Sequence, residues 1–252
     1  MRGAHSVLLA VLLAPAGAHA ADPSALWKIV NGQCVPHEQT ERDPSPCSAV
    51  DLAHGVDKGF VVLKDRNGIA QFLLIPTARI PGIEDPEILD PEATNYWDAA
   101  WQARYFVEER VHTPLPRDAV SLAINSSLGR SQDQLHIHID CIRPDVRAAL
   151  GANLDKVLGM WTLFPIPLAG HTYRSIRINH ETLDGVNPFR VLADNDPQAA
   201  TNMGMHTLVA VGESFADGTI GFVLLDDHAD VAAGDPASGE ELQDHSCAVA
   251  EK

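Results

Sequence analysis

In the stretch Gln134-Leu-His-Ile-His-Ile-Asp-Cys-Ile142, polar and apolar residues alternate from Gln134 through Cys141. A period of two is the mark of a strand with one buried face, because successive side chains of a strand point to opposite sides. His136, His138 and Asp140 therefore share one face, and Ile137, Ile139 and Cys141 the other. Burying the isoleucines against a helix leaves two imidazoles and a carboxylate about 7 Å apart along the opposite face. Half-buried strands ordinarily place Thr, Ser or Lys at such positions, so this row is the first candidate for chemistry.

Working outward, Val120-Ser-Leu-Ala-Ile-Asn125 reads as a second buried strand, and Ser126 to Gln132 as a polar loop between the two. Gly59 to Lys64 is a strand rich in branched and aromatic residues, and Asp65-Arg-Asn-Gly68 is a turn. The Asn-Gly dipeptide between apolar runs predicts a hairpin, with Ile69 to Pro76 returning antiparallel. Trp97, Trp101 and Tyr105 recur every four residues in Asn95 to Val111, which predicts one amphipathic helix. Asp145 to Met160 is helical in pattern after Pro144, and Ser24 to Val30 begins as a short helix. Cys34 to Cys47 reads as a Pro-rich polar loop. Beyond Trp161 the signals are strands and turns, with a hairpin from Thr207–Gly212 and Thr219–Leu225. The run Gly221-Phe-Val-Leu-Leu-Asp-Asp227 echoes Gly59-Phe-Val-Val-Leu-Lys-Asp65, but one seven-residue echo does not establish a repeat. The expected class is α+β, an antiparallel sheet with flanking helices.

The chain has 252 residues, 45% hydrophobic and 21% charged, which excludes disordered, collagenous and coiled-coil classes. Eighteen Lys and Arg against 34 Asp and Glu give a net charge of −16, so nucleic acid is not an expected partner. Residues 1–20 have the layout of a signal peptide: Arg2, an apolar run from Val7 to Ala14, and Ala18-His-Ala20. Cleavage after Ala20 and export are expected, with an uncleaved anchor as the alternative. The run is shorter than the ~20 apolar residues of a membrane span. In an exported chain, four cysteines predict disulfides, and four allow three pairings. Cys34 and Cys47 flank the loop that a local bridge would pin, which leaves Cys141 for Cys247. Cys141 points away from the histidine row, so a bond there leaves that row undisturbed. No C-x₂-C pair is present, and no zinc site from the cysteines is expected.

The spacing of Asn125, Gln132, His136 and His138 resembles that of the histidine-triad superfamily. There an Asn lies eleven residues, and a Gln or similar residue four residues, before the first His of an H-φ-H-φ strand. Gln71-Phe-Leu-Leu-Ile-Pro76 and the following helix are also similar, and the likeness spans about residues 59 to 144. Within that superfamily, Ser131 to Ile139, Cys141-Ile-Arg-Pro144, Trp161-Thr162, Gly170-His171 and Glu240 to Cys247 resemble the bacterial CDP-diacylglycerol pyrophosphatase family. The resemblance implies one hydrolase domain over 21–252, with a histidine-triad-like core at 59–144 and a β-rich C-terminal extension at 161–252. It implies hydrolysis of CDP-diacylglycerol, or a related CDP-linked lipid, at a membrane surface in the periplasm, with no metal or other cofactor. His138 would attack phosphorus, since a neutral imidazole is a nucleophile near pH 7. His136 would orient the site, with Asn125 and Gln132 donating hydrogen bonds. Arg130 and Arg143 are candidate phosphate partners, and Arg79 corresponds loosely to a basic position of the superfamily. Asp140 stands where the superfamily has His or Gln. A carboxylate there cannot donate to phosphate but can accept from an imidazole and fix its tautomer. Two rivals remain open at this stage. One is a metal-dependent hydrolase with His136 and His138 as ligands and a third His from the second half, where His171, His180, His206 and His228 are scattered and read as surface or structural residues. The other is a non-catalytic nucleotide or anionic-lipid binding module.

Overall fold

Nine strands form one antiparallel sheet in this computed structural model, which describes residues 22–250. The leader read at residues 1–20, with its cleavage point, lies outside the described residues. In chain order the strands are β1 (Ala49–Asp51), β2 (Phe60–Lys64), β3 (Phe72–Pro76), β4 (Val120–Ile124), β5 (Ile137–Cys141), β6 (Thr162–Leu163), β7 (Arg174–Ile178), β8 (His206–Ser214) and β9 (Ile220–His228). Their spatial order is β1-β2-β3-β5-β4-β8-β9-β7-β6. The helices are α1 (Ala25–Ile29), α2 (Val35–Glu41), α3 (Tyr96–Gln102), α4 (Tyr105–Val111), α5 (Pro144–Gly151), α6 (Pro188–Asn195) and α7 (Pro197–Thr201). Strands from the first and second halves of the chain join one sheet because β8 pairs with β4. The fold is therefore α+β, an antiparallel sheet flanked by helices. Among the described residues no helix is long and apolar enough to cross a membrane.

The two faces of the sheet are packed differently, and this positions the histidines. On one face Leu74, Leu122, Ile137, Ile139, Leu208, Phe222 and Leu224 meet Trp97 and Trp101 of α3, Val107 of α4 and Phe189 of α6 in the largest apolar cluster. Trp97 meets Phe189, and Trp101 meets Phe222, edge-on at 5.4 and 4.8 Å. Such pairs add about 0.5–1.5 kcal/mol each beyond the area they bury. The opposite face carries two smaller clusters. One joins Leu63, Leu73 and Ile75 to Val30, Cys34 and Val35 of the N-terminal helices. The other joins Ala123, Val209, Val223 and Leu225 to Val146 and Leu150 of α5. In the sheet register, His138 lies between Leu73 of the first and Ala123 of the second. The polar row of β5 is thus the seam between two apolar clusters.

The boundaries depart from the sequence expectations where side chains intervene. The Cys34–Cys47 segment is not all loop: α1 runs through one turn of π-helix, Val30–Cys34, into α2. Pro36 follows directly on the π turn and has no N–H to give to that turn's carbonyls. The β2–β3 connection is wider than an Asn-Gly turn and spans 65–71. The carboxylate of Asp65 accepts from Asn67 N, and Ile69 N donates to the His245 carbonyl, so the loop is drawn toward the C-terminal segment. The single helix expected over Asn95–Val111 is two, because Arg104 Nη1 donates to the Trp101 carbonyl and ends α3. Trp97 and Trp101 are buried while Tyr105 is exposed. The helix expected to reach Met160 stops at Gly151, and Asn153 Nδ2 donates to the Ala149 carbonyl there. The second half also holds α6 and α7, which the strand-and-turn reading missed. Asn187 and Asp196 cap their first N–H groups, and a proline follows each cap. Cys34–Cys47 and Cys141–Cys247 form disulfides, a feature that fits an exported protein.

Candidate active site

His136 and His138 are 7% and 4% exposed, and their rings meet edge to face with centroids 4.8 Å apart. They line a cavity of about 400 Å³ together with Asn125, Arg130, Gln132 and Glu240. A cavity of this size falls in the range of small-ligand sites, roughly 300–1,000 Å³. One wall is apolar, with Ala25, Leu26 and Ile29 from α1, Pro46, and Leu63 and Leu73 from β2 and β3, while Lys64 at the end of β2 and Asp65 to Asn67 of the β2–β3 connection add a polar rim.

Each ring has its own hydrogen-bond setting. His136 Nδ1 lies 2.7 Å from the Gln134 carbonyl, which can only accept, so Nδ1 carries the proton and Nε2 the lone pair. His138 Nδ1 lies 3.0 Å from Gln71 Nε2 and 3.4 Å from Glu240 Oε1, and its Nε2 is buried without a hydrogen-bond partner. Burial pushes the His138 imidazole down to about 4, with the neighbouring Glu240 charge opposing the shift. Burial also lowers His136. Both rings are therefore neutral at pH 7 and available as bases or nucleophiles. Burial works against charge on Glu240 as well, but the His138 ring and the amides of Gln71 and Asn125 hold its carboxyl below the usual range. Gln71 Nε2 donates to Glu240 Oε1 at 2.9 Å and Asn125 Nδ2 to Oε2 at 3.3 Å. The resting arrangement is neutral imidazole beside carboxylate.

Glu240 arrives from the far end of the chain on a single 3₁₀ turn, Gly239–Leu242. That turn lies against β8 only because residue 239 lacks a side chain: a Cβ there would stand 2.6 Å from both Thr207 Oγ1 and Val209 Cγ2. Gly239 N donates to Thr207 Oγ1, while Glu240 N donates to Asn125 Oδ1. Just beyond the turn, Gln243 bridges to Ile142 and Asp244 N donates to the Cys141 carbonyl, so the tail runs past the end of β5 before Cys247 bonds Cys141. His245 consequently meets Asp140. Its Nδ1 donates to Asp140 Oδ2 at 2.8 Å, and its Nε2 stands 3.5 Å from Glu240 Oε1. Asp140 is fully buried and accepts also from Cys141 N, and burial raises its pKa. The Asp140 bond in turn raises His245 above the ordinary imidazole value. Asp140, His245, Glu240 and His138 thus form one polar chain.

The other sequence candidates are placed less uniformly. Asn125 holds Glu240 from both ends of its amide. Gln132 lines the cavity, but its amide fastens the N-terminal segment, donating to the Asp22 carbonyl and accepting from Leu26 N. Arg130 lines the cavity with its guanidinium on both oxygens of Glu84. Arg143 lies outside the cavity lining and holds Asp145. Arg79 packs over the Trp27 ring. Gln71, Glu240 and His245 were assigned no role from sequence. Arg66 was also passed over; it is exposed on the cavity rim and makes no ion pair among the described residues.

The family described as CDP-diacylglycerol pyrophosphatase matches residues 21–251 of this chain. The chain belongs to that family. A curated relative from Yersinia pestis, named CDP-diacylglycerol pyrophosphatase, is 47% identical over 225 residues, 89% of this chain and 84% of the relative. A match of that extent covers both the β5 histidines and the C-terminal turn, so the whole polar chain from Asp140 to His138 lies within the family's span.

Proposed function

We propose that this chain hydrolyses the pyrophosphate bond of CDP-diacylglycerol, or a closely related CDP-linked lipid, to CMP and phosphatidate through a nucleotidyl-histidine intermediate. The observation that carries the reading is the pair of buried neutral imidazoles, one of which, His138, has a carboxylate facing its Nδ1. In the reactive tautomer the proton sits on His138 Nδ1 toward Glu240 Oε1, the Gln71 amide donating to Glu240 alone, and Nε2 presents its lone pair to the phosphorus on the cytidine side. The P–N bond forms as the bond from phosphorus to the bridging oxygen breaks, and phosphatidate leaves with that electron pair. As a phosphate monoester with a second pKa of about 6, it needs no general acid. Attack places positive charge on the ring, and Glu240 stabilises it at the nitrogen opposite the new bond. Water then adds to the same phosphorus, the P–N pair returns to Nε2, and CMP departs as the water's proton passes to solvent. His136, which lines the same cavity, orients the phosphate.

The polar end of the cavity suits the pyrophosphate, and the apolar wall from α1, β2 and β3 suits the glycerolipid body. Entry from a membrane surface and a periplasmic location follow as parts of the proposal. So does a single hydrolase unit, in which the 161–252 extension serves the 59–144 core, supplying Glu240 and His245. The decisive experiment uses substrate labelled at the cytidine-side phosphate. Wild type should release labelled CMP and unlabelled phosphatidate, and a rapid quench should trap acid-labile label on protein. That label should be absent from His138→Ala. Release of CDP, or label persisting on His138→Ala, would overturn the assignment.

A further inference from the structure

Glu241, the next residue on the same turn, faces a second polar cluster. Its Oε1 accepts from Tyr173 Oη at 2.7 Å and lies 2.8 Å from His171 Nδ1. Asp235 Oδ1 stands 3.7 Å from that same imidazole nitrogen. Asp227 of β9 closes the group, and one donor atom each from His171, Asp227 and Glu241 lie within 4.8 Å of one another.

Two features set this cluster apart from a chance gathering of surface acids. Asp227 is only 7% exposed; its Oδ1 accepts from His228 N, yet its Oδ2 is buried with no hydrogen-bond partner. A buried acceptor left unmade keeps its full desolvation cost, so an orphan of this kind asks for a partner. The charges are also unmatched: three carboxylates converge, and among the described residues the one basic side chain bonded to them is His171. The donors come from separate segments, the approach to β7, the end of β9, the loop before the 3₁₀ turn and the turn itself.

We infer that His171, Asp227 and Glu241, with Asp235 beside them, form a binding site for one divalent first-row cation, separate from the catalytic histidines. Carboxylate oxygens with one imidazole nitrogen suit Mn²⁺ or Zn²⁺. A cation there supplies the missing partner of Asp227 Oδ2 and the positive charge the cluster lacks. Because Glu240 and Glu241 are consecutive, it also ties the turn that carries Glu240 to β9, which makes the cation a clamp on the catalytic carboxylate's backbone.

The test is equilibrium dialysis of chelator-stripped, full-length exported protein against Mn²⁺, with metal counted by mass spectrometry and melting temperature followed in parallel. Wild type should retain one Mn²⁺ per chain and melt higher with it. Removing a ligand should weaken binding at least about 10- to 100-fold, so Asp227→Asn and His171→Gln should each lose the metal at concentrations that saturate wild type. His171 is partly exposed, so its variant keeps the test valid if Asp227→Asn does not fold. His136→Ala should bind as wild type does. No Mn²⁺ on the wild-type protein would overturn the site. So would loss of binding in His136→Ala with retention in both cluster variants.

Discussion

Glu240 and Glu241 are neighbours on one turn, and what surrounds them differs in kind. Around Glu240, amides of Gln71 and Asn125 match the carboxylate oxygens, and the imidazole beside it is kept neutral by burial. Around Glu241, carboxylates outnumber cations and a buried oxygen is left without a donor. The first setting is balanced at rest and gains when a positive charge develops on His138, which is what a nucleophilic imidazole requires. The second is unbalanced at rest and gains from a charge brought from outside. Acidic residues adjacent in sequence thus stand in different settings, because a tight turn sends successive side chains to different neighbours.

The sharpest way to break this comparison is to delete the rings. His138→Ala removes the only proposed route through a covalent intermediate, and turnover should fall by a factor approaching ~10⁶, as when nucleophiles are removed elsewhere. His136→Ala should lose about 10² to 10³, the usual contribution of a charge-stabilising or orienting group. Steady-state rates on CDP-diacylglycerol check both, and equal losses would mean the two rings do not divide the work as proposed.

Glu240→Gln comes next, because it keeps the shape and removes only the charge facing His138 Nδ1. A loss of about 10² in kcat is expected with KM little changed. The pH profile adds a sign. In the proposed mechanism the neutral His138 ring is the active form, and burial lowers its pKa to about 4, so the acid limb of kcat/KM should lie well below the ordinary imidazole value of about 6.5. The Glu240 charge opposes that shift, so Glu240→Gln should move the acid limb lower still. A limb that moved upward would show that Glu240 does not act through His138.

How much of this was readable beforehand depends on distance along the chain. The parity of 136–141 fixed the histidine row and its opposition to Cys141, since alternation is local. Asn125 came from the resemblance to the histidine-triad superfamily, through its place eleven residues before His136. Gln71, Glu240 and His245 escaped because sheet register and the C-terminal tail bring them in, and no period of two or four connects residues so far apart. One clue was present: a Cys141–Cys247 bond puts residue 245, two before Cys247, beside residue 140, one before Cys141. Helices α6 and α7 were missed although Asn187-Pro188 and Asp196-Pro197 are capped starts, since the surrounding strand signals outweighed them.

The disulfides sharpen the comparison further. Cys141–Cys247 spans 106 residues and holds the tail that carries Glu240 and His245. Cys34–Cys47 spans only 13 and joins the N-terminal helices to their own loop. In the chain-entropy account the longer loop contributes about 4.7 kcal/mol against about 3 for the shorter. Cys247→Ser should therefore lower the melting temperature more than Cys47→Ser, and also lower kcat by releasing Glu240. If Cys47→Ser cost as much activity as Cys247→Ser, the tail would not be what positions the carboxylate.

The smallest effects should come from the arginines, and they separate rim from remainder. Arg130 lines the cavity but its guanidinium is committed to Glu84, and Arg143 is committed to Asp145 outside the lining. Arg66 alone of the three is exposed on the rim without an ion pair among the described residues. A solvent-exposed charge contact contributes about 0.2–1 kcal/mol, so Arg66→Ala should raise KM by at most about fivefold and leave kcat alone. The effect should shrink as salt is added, because an exposed pair is screened over about 8–10 Å near physiological ionic strength. Arg143→Ala, remote from the cavity, should leave both constants within the scatter of a surface change, about 0.5 kcal/mol. A larger KM effect from Arg143 than from Arg66 would mean that the pyrophosphate is read from the side of the Glu241 cluster, and that the division between the two sites is drawn in the wrong place.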